Sequence, residues 1–169
     1  MDAVRLIAVT RSALARSPAA WDIVAEAWQA QALAQAIGSR LALTGPPELR
    51  GEARALGEVG DRGCVTPAQS VPGGALRAAR LSEVAEPARA LTELGALLGE
   101  VGTALVGVAC ATDEEALYWH CIEAIDAADE SSDHVRGMLR RLAVRDRDRA
   151  HGGVRSAVQD SPVGPPDTS

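Results

Sequence analysis

His120 and Glu123 stand one helical turn apart in the most chemically dense stretch of this chain, and Glu130 and His134 repeat the arrangement. Residues three or four apart share a helix face. Either pair could therefore offer two ligands to a metal ion. The two histidines are 14 residues apart, about 21 Å along a helix at 1.5 Å per residue, so one ion cannot join them. Neither pair has the Glu-x-x-His order of di-iron bundles, since Leu117 precedes His120 by three residues. No other predicted helix supplies a histidine. A solvated polar face is the favoured reading, and no metal or cofactor is expected.

Nucleophilic chemistry has equally little support. Cys121 follows His120, but adjacent helical residues point about 100° apart, and Cys121 lies on the apolar stripe, where thiols are inert. There is no G-x-S-x-G elbow and no G-x-G-x-x-G after a strand. All 17 basic residues are arginine, which removes every lysine-dependent mechanism. Lysine, asparagine and phenylalanine, all absent, have AT-rich codons, so the chain reads as the product of a GC-rich genome. Glu86, Glu93 and Glu100 recur every seven residues and could hold a cation, but a wet helix face is the simpler account.

Aromatic residues are scarce: Trp21, Trp28, Trp119 and Tyr118 are the full set. Exposed tryptophans are the side chains that dominate protein interfaces. Core packing is at least as good a reading for Trp21 and Trp28, which lie one heptad apart. The leading function is thus a non-enzymatic interaction or regulatory protein with a protein partner. The alternative is a small-molecule-binding or enzymatic bundle, with a pocket near Trp119, His120 and Glu123.

The net charge of −6 and pI near 5.1 argue against nucleic acid, which requires a basic face. Cys64, Cys110 and Cys121 have no metal-binding spacing and read as reduced cytoplasmic thiols. The first segment carries charges throughout and has no signal-peptide pattern. The most apolar run, Val101 to Ala111, is too short to cross a bilayer, which takes about 20 helical residues. It reads as a buried helix end, with a strand as the weaker choice. The expected setting is cytoplasmic, without membrane.

Five segments must position these residues. Asp2 to Ala15 forms a helix capped by Asp2. Pro18 to Leu43 follows, with Ser17 as N-cap, Pro18 opening the helix, and Ile23, Ala27, Ala30, Ala34, Ile37 and Leu41 inward. Gln29, Gln31 and Gln35 surround that stripe. A short helix over Pro47 to Val59 buries Leu49, Ala53, Leu56 and Val59. Gly60 to Gly74 is a surface loop, and Ala75 to Val84 adds a short helix. Pro87 to Ala111 turns Leu91, Leu94, Leu98, Val101, Leu105 and Val108 inward, with Gly95-x-x-x-Gly99 permitting close packing. The last helix starts with a capping box, Thr112 to Glu115. Its stripe of Leu117, Cys121, Ile125, Ala128, Ser132, Val135, Leu139 and Leu142 stays in phase, so one helix is expected rather than two. The fold is an all-α antiparallel bundle of four main helices plus one or two short ones over 1–149. Residues 150–169 form a disordered tail, because they cannot bury enough apolar area.

The final helix also splits its charge. Asp113 to Asp133 holds eight acids and no arginine, and His134 to Arg155 holds seven arginines and two aspartates. Dipole complementarity and bridges to neighbouring helices explain this most simply. Weak antiparallel self-association, acidic half to basic half, is the second reading; it makes Arg140, Arg141 and Arg145 the residues to reverse.

Several stretches resemble a known family. They are Met1-Asp-Ala-Val-Arg-Leu-Ile7, Ala27-Trp-Gln-Ala-Gln-Ala-Leu-Ala-Gln-Ala-Ile-Gly38 and Gly45-Pro-Pro-Glu-Leu49, then Asp113-Glu-Glu-Ala-Leu-Tyr-Trp119 and Glu123-Ala-Ile-Asp-Ala-Ala-Asp-Glu130. Together they resemble the actinobacterial proteins grouped as domain of unknown function 6099, over residues 1 to about 145. The resemblance implies an actinobacterial cytoplasm. It brings no activity, cofactor or catalytic residue with it.

Overall fold

The computed structural model describes residues 1–59 and 76–158, with side chains through His151. Helix α1 (Ala3–Ala15) starts at Asp2, whose carboxylate accepts the Val4 N–H at 2.9 Å. The chain before α1 is strapped to the segment preceding α4: the Ser82 N–H reaches the Met1 carbonyl and the Ala3 N–H reaches that of Glu83. Ser17 does not cap the next helix. Its hydroxyl turns back to the Ala13 carbonyl at 3.0 Å, satisfying the end of α1. Helix α2 (Ala20–Thr44) therefore begins later than expected, after Ala19, with no side-chain cap.

Helix α2 ends where Gly45 crowds the preceding turn. A Cβ there would lie 2.5 Å from the Leu41 carbonyl oxygen, so only glycine fits. Pro46-Pro47 then opens a 3-10 turn (Pro47–Leu49) leading into α3 (Arg50–Glu58). Leu49, Ala53, Leu56 and Val59 are all buried, as their spacing predicts. The α2–α3 hairpin is unusually close at Gly38, where a Cβ would meet the Ala53 oxygen and the Gly57 nitrogen, each at 2.8 Å.

The expected loop at Gly60 to Gly74, with Cys64, lies outside the described residues. The short helix expected over Ala75 to Val84 is instead a 3-10 turn (Arg77–Arg80). Two residues of α2 hold it: Glu26 pairs with the Arg77 guanidinium, at 2.7 Å for Nη2, and Gln29 accepts the Arg77 N–H at 3.0 Å. The turn stops at Leu81, whose backbone is extended, because the next residues pair with the N-terminal strap instead: the Ser82 N–H goes to Met1 and the Glu83 carbonyl to Ala3.

Helix α4 (Pro87–Ala111) buries Leu91, Leu94, Leu98, Val101, Leu105 and Val108, together with Ala90 and Leu97. Val101 to Ala111 is its helical C-terminal end. Among the described residues, α4 alone is long and apolar enough to cross a membrane, with mean hydropathy 1.8. In this fold its leucines are packed against α1, α2 and α5. The row of Glu86, Glu93 and Glu100 meets arginine. Arg11 of α1 lies 3.1 Å from both Glu93 and Glu100, and Glu86 pairs with Arg89.

Helix α5 (Glu115–Val158) is a single helix of 44 residues. The capping box does not form. Thr112 Oγ1 accepts the Glu114 N–H at 3.1 Å, which shapes the three-residue turn, and the helix starts only at Glu115. The short turn makes α4 and α5 antiparallel. The second half of α5 continues over α3. Its buried stripe is broader than expected: Ser131 and Met138 join it, while Ile125 and Leu139 are only half-buried. The widening follows from its neighbours, because α5 touches α4 along one side and α2 and α3 along another. Its backbone stays helical to Val158, so the boundary expected at 150 falls inside the helix. Extending a formed helix avoids the nucleation penalty. Residues 159–169 lie outside the described residues. Among the described residues the fold is an all-α bundle of four main helices, one short helix and two 3-10 turns, with α2 touching each of the other helices.

Candidate functional site

The aromatic residues gather where the start of α2 meets the start of α5. Trp21 lies in the first turn of α2 and His120 in the second turn of α5, and their rings meet edge to face at 5.4 Å. Tyr118 and Trp119 make a second edge-to-face pair at 5.4 Å. Trp21, Tyr118 and Trp119 remain 45%, 40% and 55% exposed. Such rings stiffen one another while leaving their apolar faces in water. Trp28, one heptad beyond Trp21, behaves differently: it is half-buried and packs on the core. The structure thus brings Trp21 to His120 and pairs Trp119 with its neighbour Tyr118 at the same end of the bundle, and sets Trp28 apart.

Glu123 sits on the open side of this cluster. Its carboxylate is 3.9 Å from His120 Nδ1, and both side chains are largely solvated. A pair that loose and wet is a poor proton-transfer couple. Among the described residues, no three His, Cys, Asp or Glu side chains converge as a metal-ligand set. Cys121 lies inward beneath His120, and burial pushes its thiol pKa up, away from the reactive thiolate. Cys110 is exposed near the end of α4.

His134 does not join Glu130. It points to α3, where its Nδ1 is 2.9 Å from Glu52. Glu52 also binds Arg141 at 3.2 Å, and its carboxyl rests over Gly137, where a Cβ would be 3.2 Å away. His134, Gly137 and Arg141 lie on one face of α5 and form a seat for this carboxylate. Hydrogen bonding from His134, then from Arg141, holds the Glu52 pKa below the ordinary carboxylate value. The sign follows from that lowering. Stability from this group is present above the unfolded carboxylate pKa and is lost as pH falls through the lower folded value. Glu52→Gln is therefore expected to flatten the acid limb of a pH–melting-temperature curve, with the neutral side of the curve shifted downward. An unchanged acid limb would mean that other carboxylates control it.

Arg145 lies 3.9 Å from Glu48, beyond the Glu52 seat. An open groove of about 720 Å³ follows this junction between α3 and α5. Much of the basic half of α5 is thus engaged within its own chain, and Arg141 and Arg145 are poor choices for reversing self-association. A second groove, of about 620 Å³, runs between α4 and α5 past Gly95, Gly99 and Gly102. Neither groove is lined by Trp119, His120 or Glu123.

One further polar contact locks the interior. Gln31 and Ser131 are both buried and hydrogen-bond reciprocally at 3.0 and 3.1 Å. Sequence reasoning placed the glutamines around the core, not inside it, and missed Glu52 altogether. The signal for Gln31 was present: its neighbours Ala27, Ala30 and Ala34 leave room for an amide.

No curated protein and no solved structure matches the chain. The model of the family of unknown function designated DUF6099 covers residues 1–141, which include α1 to α4 and α5 as far as Arg141, the last residue of the Glu52 seat. That span takes in the packed bundle and both halves of the aromatic cluster, and on it the chain belongs to the DUF6099 family.

Proposed function

We propose that this protein is a non-enzymatic, cytoplasmic protein-interaction module that regulates a protein partner through its Trp21, Tyr118 and Trp119 end. The observation that carries this reading is the exposure of three of the four Trp and Tyr side chains at one end of the bundle. Such rings offer a large apolar area at low conformational-entropy cost. The surrounding charge specifies the partner. Asp113, Glu114, Glu115 and Glu123 rim the cluster, and α5 carries no arginine before Arg136. The complementary surface is an apolar pocket bordered by lysine or arginine.

The test compares the wild-type chain with Trp119→Ala and Trp21→Ala as baits in an extract of the native host, followed by affinity measurement on the retained protein. The variants should keep the wild-type far-UV spectrum, because both side chains are exposed. Loss of a central tryptophan should weaken binding by a factor of about 30 or more, since such residues contribute about 2 kcal/mol or above. Unaltered affinity in both variants would refute this surface. A ligand-dependent rise in melting temperature that vanishes in His120→Ala would instead favour a small-molecule pocket.

A further inference from the structure

The groove between α4 and α5 is a second surface, separate from the aromatic end. On the α4 side, Gly99 and Gly102 have no atom within 4 Å of where a Cβ would stand, so packing within the chain does not require glycine there. Gly95 differs, since its Cβ would rest 3.5 Å from Val135 and α4 approaches α5 at that point. Each glycine lowers helix stability by about 1 kcal/mol relative to alanine. The outward side of α4 along this groove, including Thr103 and the half-exposed Val106, carries no charge.

On the α5 side, the groove is lined by Ile125, Asp129, Ser132, Val135, Arg136 and Leu139, with Val135 and Ser132 buried at its floor. The four that rise above the floor are self-complementary when reversed. Place two copies of α5 antiparallel, crossing above Ser132. Asp129 then faces Arg136 of the other copy, and Ile125 faces its Leu139. Both apolar members are only half-buried in the single chain. Arg136 lies 2.6 Å from its own Asp133, through Nη1 alone and in an exposed setting, so in the dimer each guanidinium is shared between Asp133 and Asp129 of the other copy. Outside the groove stripe, Asp126 and Arg140 add a further opposed pair in the same register.

We infer that the α4–α5 groove binds a second copy of this chain, α5 against α5 and antiparallel, with the glycines of α4 receiving the partner's α5 ridge. The occupant is a second copy because the order acid, small, base, flanked by an apolar residue at each end, matches its own reversal. An unrelated helix has no reason to satisfy both halves. Exposed charge pairs contribute little individually, so apolar contact supplies affinity and the pairs set orientation. The proposal does not depend on the aromatic end, and the variants below leave Trp21, Tyr118 and Trp119 in place.

The experiment is sedimentation equilibrium on the full chain at low and high salt, with charge-reversal and groove-filling variants. The wild type should show a monomer–dimer equilibrium that weakens at high salt. Asp129→Arg alone and Arg136→Asp alone should each weaken it by about tenfold, and the double variant D129R/R136D should restore it. Gly99→Leu with Gly102→Leu should abolish the dimer while raising the melting temperature of the monomer, because the space is open within one chain. That rise separates loss of the interface from loss of folding. A strict monomer at about 1 mM wild-type protein would overturn the proposal. So would a double reversal that stays as weak as the singles, or a dimer undisturbed by the filled groove.

Discussion

Gly38→Ala should destabilise this protein by about 1–3 kcal/mol, the range typical of overpacking a tight core. Helix propensity alone forecasts the opposite sign, a gain of about 1 kcal/mol. Packing wins because the added methyl would meet the Ala53 oxygen and the Gly57 nitrogen, each at 2.8 Å, and the Leu56 Cβ at 3.0 Å. The two nearest atoms are backbone, so no side-chain rotation relieves them; α3 itself must move. Gly51→Ala is the control, since nothing lies within 4 Å of its Cβ position. Urea unfolding should show Gly38→Ala lowered and Gly51→Ala equal to or above wild type. Displacing α3 also lifts Glu52 off its seat on α5, so the acid limb should flatten together with the loss. A Gly38→Ala protein as stable as the control would show that the α2–α3 contact is looser than described.

Ser131→Ala is expected to lose a similar amount, about 1–3 kcal/mol, for a different reason. Gln31 and Ser131 satisfy each other across α2 and α5 in a place with almost no solvent. Removing the hydroxyl strands the amide, whose oxygen and nitrogen then lack partners. Gln31→Leu combined with Ser131→Ala should recover most of the loss, because an apolar pair leaves nothing unsatisfied. Thermal melts of the singles and the double decide the matter. A double variant no better than Ser131→Ala would mean that shape, not hydrogen bonding, controls this position.

The bundle was legible because apolar spacing is a local signal. The stripes of α4 and the short α3 helix read directly from residues three and four apart, as did the continuity of α5 through Ser131-Ser132. The errors fall where a side chain had two available partners. Ser17 could cap forward or bond backward, and the carbonyl four residues earlier was nearer. His134 could turn to Glu130 on its own helix, but Glu52 arrives from a residue 82 positions away, and no periodicity encodes that meeting. Gln31 was read as surface because glutamine usually is, while its partner lies 100 residues on. Of the site residues, Trp21, Trp119 and His120 were identified by type, but the meeting of Trp21 with His120 required the helix starts to be placed. Trp28 shares a heptad position with Trp21, yet seven residues further along α2 the bundle already covers it. Gly95 and Gly99 were noticed as a spacing motif, Gly102 was not, and only the empty space around Gly99 and Gly102 separates them from Gly95.

The length of α5 has a consequence for the order in which the molecule assembles. Two hairpins, α2–α3 and α4–α5, close over short turns, so their contacts are local and their loop entropy is small. The contacts that join them are not. Gln31 to Ser131 and Glu52 to His134 span 100 and 82 residues, and both depend on one continuous helix that reaches from the second hairpin to the first. Non-local closure of this kind comes after local structure. The two hairpins are therefore expected to form first, and the docking of the α5 face that carries His134 and Ser131 onto α2 and α3 to come last. Damage to that docking seam should speed opening more than it slows assembly.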